Sequence, residues 1–367
     1  MDSITHPTLR RGADLTRRLG RGGAAESALR NPWALKWLVR CSPLLALALP
    51  GVLGPYQLTV LTVALVYAVA LISLVVLTGY VGQVSLCQAS FMGLGAFLCA
   101  ALMGHAHLSY WVAAPITVVV VFIVGVLAGL PALRLRGLTL AIVTLSLALL
   151  ADNFLFQGVG WLTNDGNHWL VTRPSLFGVS LNDPAALFRT LLIALLFVLF
   201  AVVRLREGRT GKSWYAMRDA EIAASTSGVS IVTMKLLGFG VAAAIAAIAG
   251  VLYALAIGSV SPEPFNFVAS IQLLAIAVIA GVRSLPGAIA GALFFIILPQ
   301  FLLQFPALVP LTSLILGVGL IAQMLFAPQG IGGMLDDLQR RLLRGQALAS
   351  AAAPGPRDEE GEPHADL

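Results

Sequence analysis

Charge is scarce in this chain: 23 Lys and Arg and 17 Asp and Glu together make only 11% of its 367 residues. Soluble domains carry about 25%, so a water-exposed globule is excluded. Cysteine is nearly absent too. Cys41, Cys87 and Cys99 are odd in number, lie in or beside apolar runs and lack ligand spacing, which argues against a disulfide framework. His105 and His107 stand alone near a helix end, better suited to an interfacial polar role than to a metal. No Ser/His/Asp constellation is visible, so neither catalysis nor a cofactor is expected. The net charge of +6 comes without an aromatic-basic platform, which argues against nucleic acid.

What is present is apolar: 58% hydrophobic residues, in runs near or above the roughly 18 that suggest a bilayer span. Ten candidate spans follow, at 37–52, 58–77, 84–103, 111–130, 138–156, 187–203, 236–256, 269–282, 287–304 and 308–326. The fold class predicted is all-α, a polytopic helix bundle. The first and eighth spans are short and the third is Gly-rich, so these could be broken or re-entrant. With the N-terminus inside, 21 of the 23 basic residues fall on the cytoplasmic side, leaving only Arg173 and Arg189 outside. That asymmetry is the one expected of a correct topology, and it places both termini in the cytoplasm. Residues 1–36 then form a basic cytoplasmic tail in contact with anionic lipid, 37–330 the membrane domain, and 331–367 a largely disordered tail.

Two polar segments stand out. The first, 204–235, carries six basic residues between long apolar runs and could be gripped by a soluble partner. Its Gly211-Lys212-Ser213 imitates a phosphate-binding loop, but the Gly required five residues earlier is Arg206. The second is GYVGQVSLCQASFMGLGAF (79–97), where Gln83, Ser85 and Gln88 sit among glycines able to unwind a helix. Broken helices at depth are tolerated where protein or water satisfies the backbone, so Gly79, Gly82, Gln83, Ser85 and Gln88 are candidates for lining a pathway, against a re-entrant packing turn. A short echo, Gly281-Val-Arg283-Ser284-Leu285, repeats the Gly-x-x-Ser-Leu pattern of 82–86 but is too brief to establish a repeat. Small residues at four-residue intervals (Gly125 and Gly129, Gly287 and Gly291, Ala242, Ala246 and Gly250) suit close helix packing in lipid. Asp152 and Arg283 are the charges nearest membrane depth, both near span ends, which weakens an ion-coupled carrier.

Four further runs join the glycine-rich one: LRLRGLTLAIVTL (133–145), SWYAMRDAEIAASTSGVSIVTMKLLGF (213–239), AGVLYALAIGSVSPEPFNF (249–267) and SIQLLAIAVIAGVRSLPGAIAGALF (270–294). Together, and in this order, they resemble the permeases of branched-chain amino-acid ABC importers, more narrowly the LIV-M-type subunit. The resemblance implies a heterodimer with a second homologous permease, two ABC ATPase subunits, an extracytoplasmic substrate-binding protein, and residence in the bacterial inner membrane. It also implies a short coupling helix that docks on an ATPase, carried here by Arg218, Asp219, Glu221, Ile222, Ala223, Ala224 and Gly228. Gly228 could end that helix, and the alanines allow close approach. The chain departs from the family at Cys87-Gln88, commonly Gly-His, and at Phe97, commonly Tyr. Urea, short amides or small organic acids are therefore alternative substrates. The stretch around Asn164, Asp165 and Asn167 either meets the binding protein or is an ordinary polar loop.

Overall fold

The computed structural model describes residues 49–302, apart from 52, 136, 164–167 and 177–178, and Gly317. All lie in one compact unit, Ala46–Leu335. Ten helices matter: α1 (Pro55–Leu74), α2 (Gln88–His105), α3 (Tyr110–Ala128), α4 (Leu138–Leu150), α5 (Pro184–Glu207), α6 (Arg209–Asp219), α7 (Glu221–Thr226), α8 (Ile231–Ile257), α9 (Phe267–Ala280) and α10 (Leu285–Leu302). Two of these continue as wider π-helical turns, α1 through Val75–Val81 and α4 through Ala151–Leu155. Seven helices are long and apolar enough to cross a membrane, and α9 is a shorter apolar one. They correspond to the second through ninth expected spans; the first, apart from the turn at Leu49–Gly51, and the tenth, apart from Gly317, fall outside the described residues, as do the two tails.

Helices α1 and α8 form the centre, with most of their surface buried, whereas α3 and α4 are largely exposed. Apolar side chains alone do not hold helices together in lipid, so close backbone approach has to do that work. Glycine provides it. A Cβ on Gly250 of α8 would lie 1.8 Å from the Met92 carbonyl oxygen of α2, and one on Gly95 would lie 2.6 Å from the Ala247 carbonyl oxygen. On the other flank of α8, a Cβ on Gly125 of α3 would lie 2.3 Å from the Ala243 methyl carbon. Gly291 packs α10 on α9, where an added Cβ would lie 2.5 Å from the Ala280 methyl carbon. The small-residue intervals in the sequence therefore mark real helix contacts.

The end of the bundle opposite the polar loop is closed by aromatic and paired groups. Phe97 stacks on Phe156 at 5.2 Å and meets Phe265 edge-on, so the departure at Phe97 sits in an aromatic cluster. Four two-residue strands are the only β-structure among the described residues: β1 (Trp169–Leu170) pairs with β4 (Ser259–Val260), and β2 (Ser175–Leu176) with β3 (Val179–Ser180). Arg173 donates to the carbonyls of Leu255 (3.2 Å) and Ala256 (2.7 Å), a cation on the negative C-terminus of α8. His105 stacks on Trp161, and its Nε2 lies 3.1 Å from the Trp161 carbonyl oxygen, which is a packing role. Asp152 is buried and contacts the Phe267 amide at the start of α9.

This packing makes a firm expectation. Gly250→Leu should destabilise the folded chain by about 3 kcal/mol, the upper part of the usual overpacking range. Gly51→Ala, where an added Cβ meets nothing within 4 Å, should change little. Melting of the detergent-solubilised protein, followed by size exclusion, would test it. Equal melting temperatures for the two variants would contradict the contact.

Candidate functional site

The polar segment folds into two short helices clamped to the bundle. Helix α6 is amphipathic by spacing, burying Gly211, Trp214 and Met217 on one face. Gly211 abuts the Arg206 backbone, where a Cβ would come within 2.2 Å of a carbonyl, so the Gly-Lys-Ser tripeptide is a helix-packing element. Trp214 is fully buried and its Nε1 donates to the Met234 carbonyl at 2.9 Å. The resemblance suggests one coupling helix. The structure instead breaks the segment at Ala220 (φ −153°, ψ 87°), between α6 and α7. The break turns Glu221 towards Lys235, with Oε1 2.9 Å from Nζ. Lys235 is 1% exposed, at the first turns of α8. Gly228 adopts φ +84° and ends α7, with the Val229 amide returning to the Ala224 carbonyl at 3.1 Å. This is the glycine-terminated helix end expected of that residue.

The other polar segment is a broken helix. The π-turn Val75–Val81 stops at Gly82 (φ +77°), the Gln83 amide still returning to the Leu77 carbonyl, and residues 83–87 lie outside any helix. Helix α2 therefore starts at Gln88, later than the expected 84, and it starts at depth. Its Gln88 Nε2 donates to Ser73 Oγ at 3.1 Å, and Ser73 is eight residues, roughly 12 Å of helix, before Val81. Neighbouring hydroxyls serve the exposed amides: Thr144 Oγ1 accepts from Leu86 at 3.0 Å, and Ser270 Oγ accepts from Ala89 at 3.1 Å. Cys87 is buried with its Sγ 3.2 Å from Ser85 Oγ. Buried side-chain polar atoms without a hydrogen-bond partner among the described residues gather at this break, namely Thr78 Oγ1, Gln88 Oε1 and Ser90 Oγ, while the Tyr80 hydroxyl has Arg206 beside it. Unsatisfied groups are rare in interiors, so their concentration here marks a place built for something other than packing.

The Gly-x-x-Ser-Leu echo is a second break of the same kind. Gly281 (φ +98°) ends α9, and Ser284 Oγ accepts from the Gly287 amide at 3.2 Å as α10 begins. The two breaks touch: a Cβ on Gly79 would lie 2.0 Å from the Val282 carbonyl oxygen. Arg218 joins them to the loop, its Nη1 donating to the Gly79 carbonyl and its Nε and Nη2 to Asp219 Oδ1 at 3.1 and 3.0 Å. Its guanidinium lies over Tyr215, which contacts Tyr80, itself beneath Arg206.

The seven loop residues singled out thus divide in two. Arg218, Glu221 and the buried Ala224 face their own chain, whereas Asp219, Ile222, Ala223 and Gly228 face outward. Ile222 is 81% exposed, an isolated aliphatic side chain on a polar tip. The five residues of the broken segment line neither of two cavities against α1 and α10, the first bounded also by α2 and α9 and the second by α8. One, about 140 Å³, lies among Tyr67, Met92 and Gln272; the other, about 440 Å³, among Tyr56, Tyr253 and Gln300, and they share Tyr67. The π-turns and the Glu221–Lys235 pair escape a reading of the sequence, although one lysine just inside an apolar helix is a signal for the latter. Asn164, Asp165 and Asn167 lie outside the described residues. No group of three His, Cys, Asp or Glu suited to a metal occurs among the described residues.

A bundle of apolar spans carrying broken helices and a polar loop is the architecture of a polytopic helical membrane protein. Residues 56–324 match the family described as branched-chain amino acid transport system / permease component, and the chain belongs to that family. It is a multi-pass membrane permease subunit and not itself an enzyme. It is similar to the high-affinity branched-chain amino acid transport system permease protein LivM of Salmonella typhimurium and that of Escherichia coli K12. Each is 30% identical over 331 residues, covering 84% of this chain and 77% of the relative. The autoinducer 2 import system permease protein LsrC of Escherichia coli O9:H4 is 26% identical over 332 residues, covering 85% of this chain and 91% of the relative. No solved structure matches.

The ion pair predicts an asymmetric mutational response. Glu221→Gln leaves a buried lysine unpaired and should cost about 3 kcal/mol, since an uncompensated buried charge is the expensive state. Lys235→Met combined with Glu221→Gln should recover most of that loss. Melting temperatures of the single and double variants check this, and strictly additive losses would refute it.

Proposed function

We propose that this chain is one of two permease subunits of an ATP-driven importer in the bacterial inner membrane, moving branched-chain or related amino acids inward. On this reading its ten spans place both termini, and the α6–α7 loop, in the cytoplasm. The basic-residue asymmetry supports that orientation. The observation that carries the proposal is the loop: two helices held rigidly from behind by Trp214 and Lys235, presenting Asp219, Ile222 and Ala223 outward. A rigid tip with one exposed aliphatic anchor suits docking into a groove of a partner ATPase.

The pathway reading rests on the first break. Thr78, Gln88 and Ser90 carry polar atoms without protein partners among the described residues, and water or a passing polar solute can satisfy them. Substrate in this arrangement is supplied by an extracytoplasmic binding protein, and a second homologous permease completes the membrane unit. A related small solute is the second reading of the substrate, favoured by the likeness to LsrC, whose name records autoinducer 2 import.

The test is uptake by the purified assembly, with its ATPase and second permease, in proteoliposomes supplied with binding protein and radiolabelled leucine. Accumulation is expected only with ATP; accumulation that follows an imposed proton gradient instead would make the chain an ion-coupled carrier. Ile222→Asp should cost docking about 2 kcal/mol, roughly thirtyfold in affinity, with the permease still inserted. ATPase that copurifies normally with this variant would remove Ile222 from the interface.

A further inference from the structure

We propose that Arg218 is a positioning residue, transmitting movement of the polar loop to the paired helix breaks at Gly79–Gln88 and Gly281–Leu285. The inference rests on the importer reading and deepens it. Arg218 sits in the last turn of α6 with its side chain 17% exposed, turned to the bundle rather than to the docking face. Its Nη1 donates to the carbonyl of Gly79, in the last turn of the first described span, where helix geometry leaves carbonyls without intrahelical partners and gathers partial negative charge. Asp219 Oδ1 accepts from the remaining side of the guanidinium, fixing its plane.

The aliphatic part of the same side chain matters as much. A Cβ on Gly82 would lie 2.4 Å from Arg218 Cγ, so the stem of Arg218 rests on the glycine where the helix breaks. On another side of that turn, Gly79 admits the Val282 carbonyl of the second break. The chain of contacts runs from Arg218 to Gly79 and Gly82, and from Gly79 to Val282, with no flexible side chain after the first link. The other hydrogen-bonded and ionic loop anchors go elsewhere, Trp214 and Glu221 both attaching to the start of α8, while Tyr215 meets the first break only as a ring packed on Tyr80. Among the described residues, Arg218 alone in α6 and α7 donates a side-chain hydrogen bond into a break. A displacement of the docked tip about its α8 anchors therefore reaches the breaks through the Arg218 hydrogen bond and stem, with the Tyr215–Tyr80 ring contact beside it.

The experiment compares wild type, Arg218→Gln, Arg218→Lys and Gly82→Ala in the complete assembly in proteoliposomes with radiolabelled leucine, scoring ATPase copurification, ATP hydrolysis and leucine moved per ATP. Arg218→Gln should keep copurification and hydrolysis within about twofold of wild type while leucine per ATP falls at least tenfold. Arg218→Lys, which keeps the charge and most of the stem, should restore at least a third of the ratio. Gly82→Ala pushes a methyl onto the Arg218 stem and should uncouple transport with the guanidinium intact; it keeps the test open should Arg218→Gln fail to fold. Loss of copurification in Arg218→Gln would make Arg218 a docking residue and overturn the inference. An unchanged ratio in either Arg218→Gln or Gly82→Ala would overturn it too, by making the contact merely structural. Wild type without ATP-dependent uptake would instead sink the importer reading and this inference with it.

Discussion

Lipid offers no hydrogen bonds, and this chain interrupts its helices inside lipid. Every amide and carbonyl released at the breaks has to find a partner within the protein, because each one left bare in hydrocarbon costs several kcal/mol. Thr144 and Ser270 reach from α4 and α9 to the amides at the start of α2, so three helices are fixed in register by the needs of one break. At the other side of that break Arg218 reaches from outside the spans to the carbonyl of Gly79. The arrangement of the bundle around the first break follows from that obligation.

The same constraint explains the glycines. Hydroxyls such as Thr144 Oγ1 are short, and a short donor or acceptor serves a neighbouring backbone only if the helices stand close. Gly95, Gly125 and Gly250 remove the Cβ atoms that would hold α2, α3 and α8 apart. Gly79 does so between the two breaks themselves. Close packing and backbone satisfaction are thus one device, the first making the second reachable.

How much of this was legible in the sequence depended on how local the signal was. Spans two to seven and nine could be read because hydropathy over some 18 residues is a property of the run itself, and the eighth as a shorter apolar run. The end of α7 could be read because a glycine at a helix terminus takes positive φ whatever surrounds it. The late start of α2 could not, because residues 84–87 are as compatible with helix as 88–91 until Thr144 and Ser270 are in position. The break at Ala220 was hidden for a like reason: alanine is the strongest helix former, and the Glu221–Lys235 pair that accompanies the turn joins residues fourteen apart. The π-turns leave the apolar pattern unchanged. The echo at Gly281 looked accidental as five letters and gains meaning from the contact of Val282 with Gly79.

The division of the loop into inward and outward faces also decides what kind of machine it can serve. Were all seven residues turned outward, the loop would be a docking patch attached by its chain ends alone, and force on it would be absorbed by its own flexing. Arg218, Glu221 and Ala224 turned inward make it instead a rigid piece with two attachments, α8 on one side and the break at Gly79 on the other. Helix α8 is 27 residues long and wedged between α2 and α3 by backbone-close contacts, so it yields little. The π-turn and Gly82 have the weaker bonding and the unsatisfied polar atoms, so they yield first. On the proposed docking, a push on Ile222 would meet its compliant direction at the break.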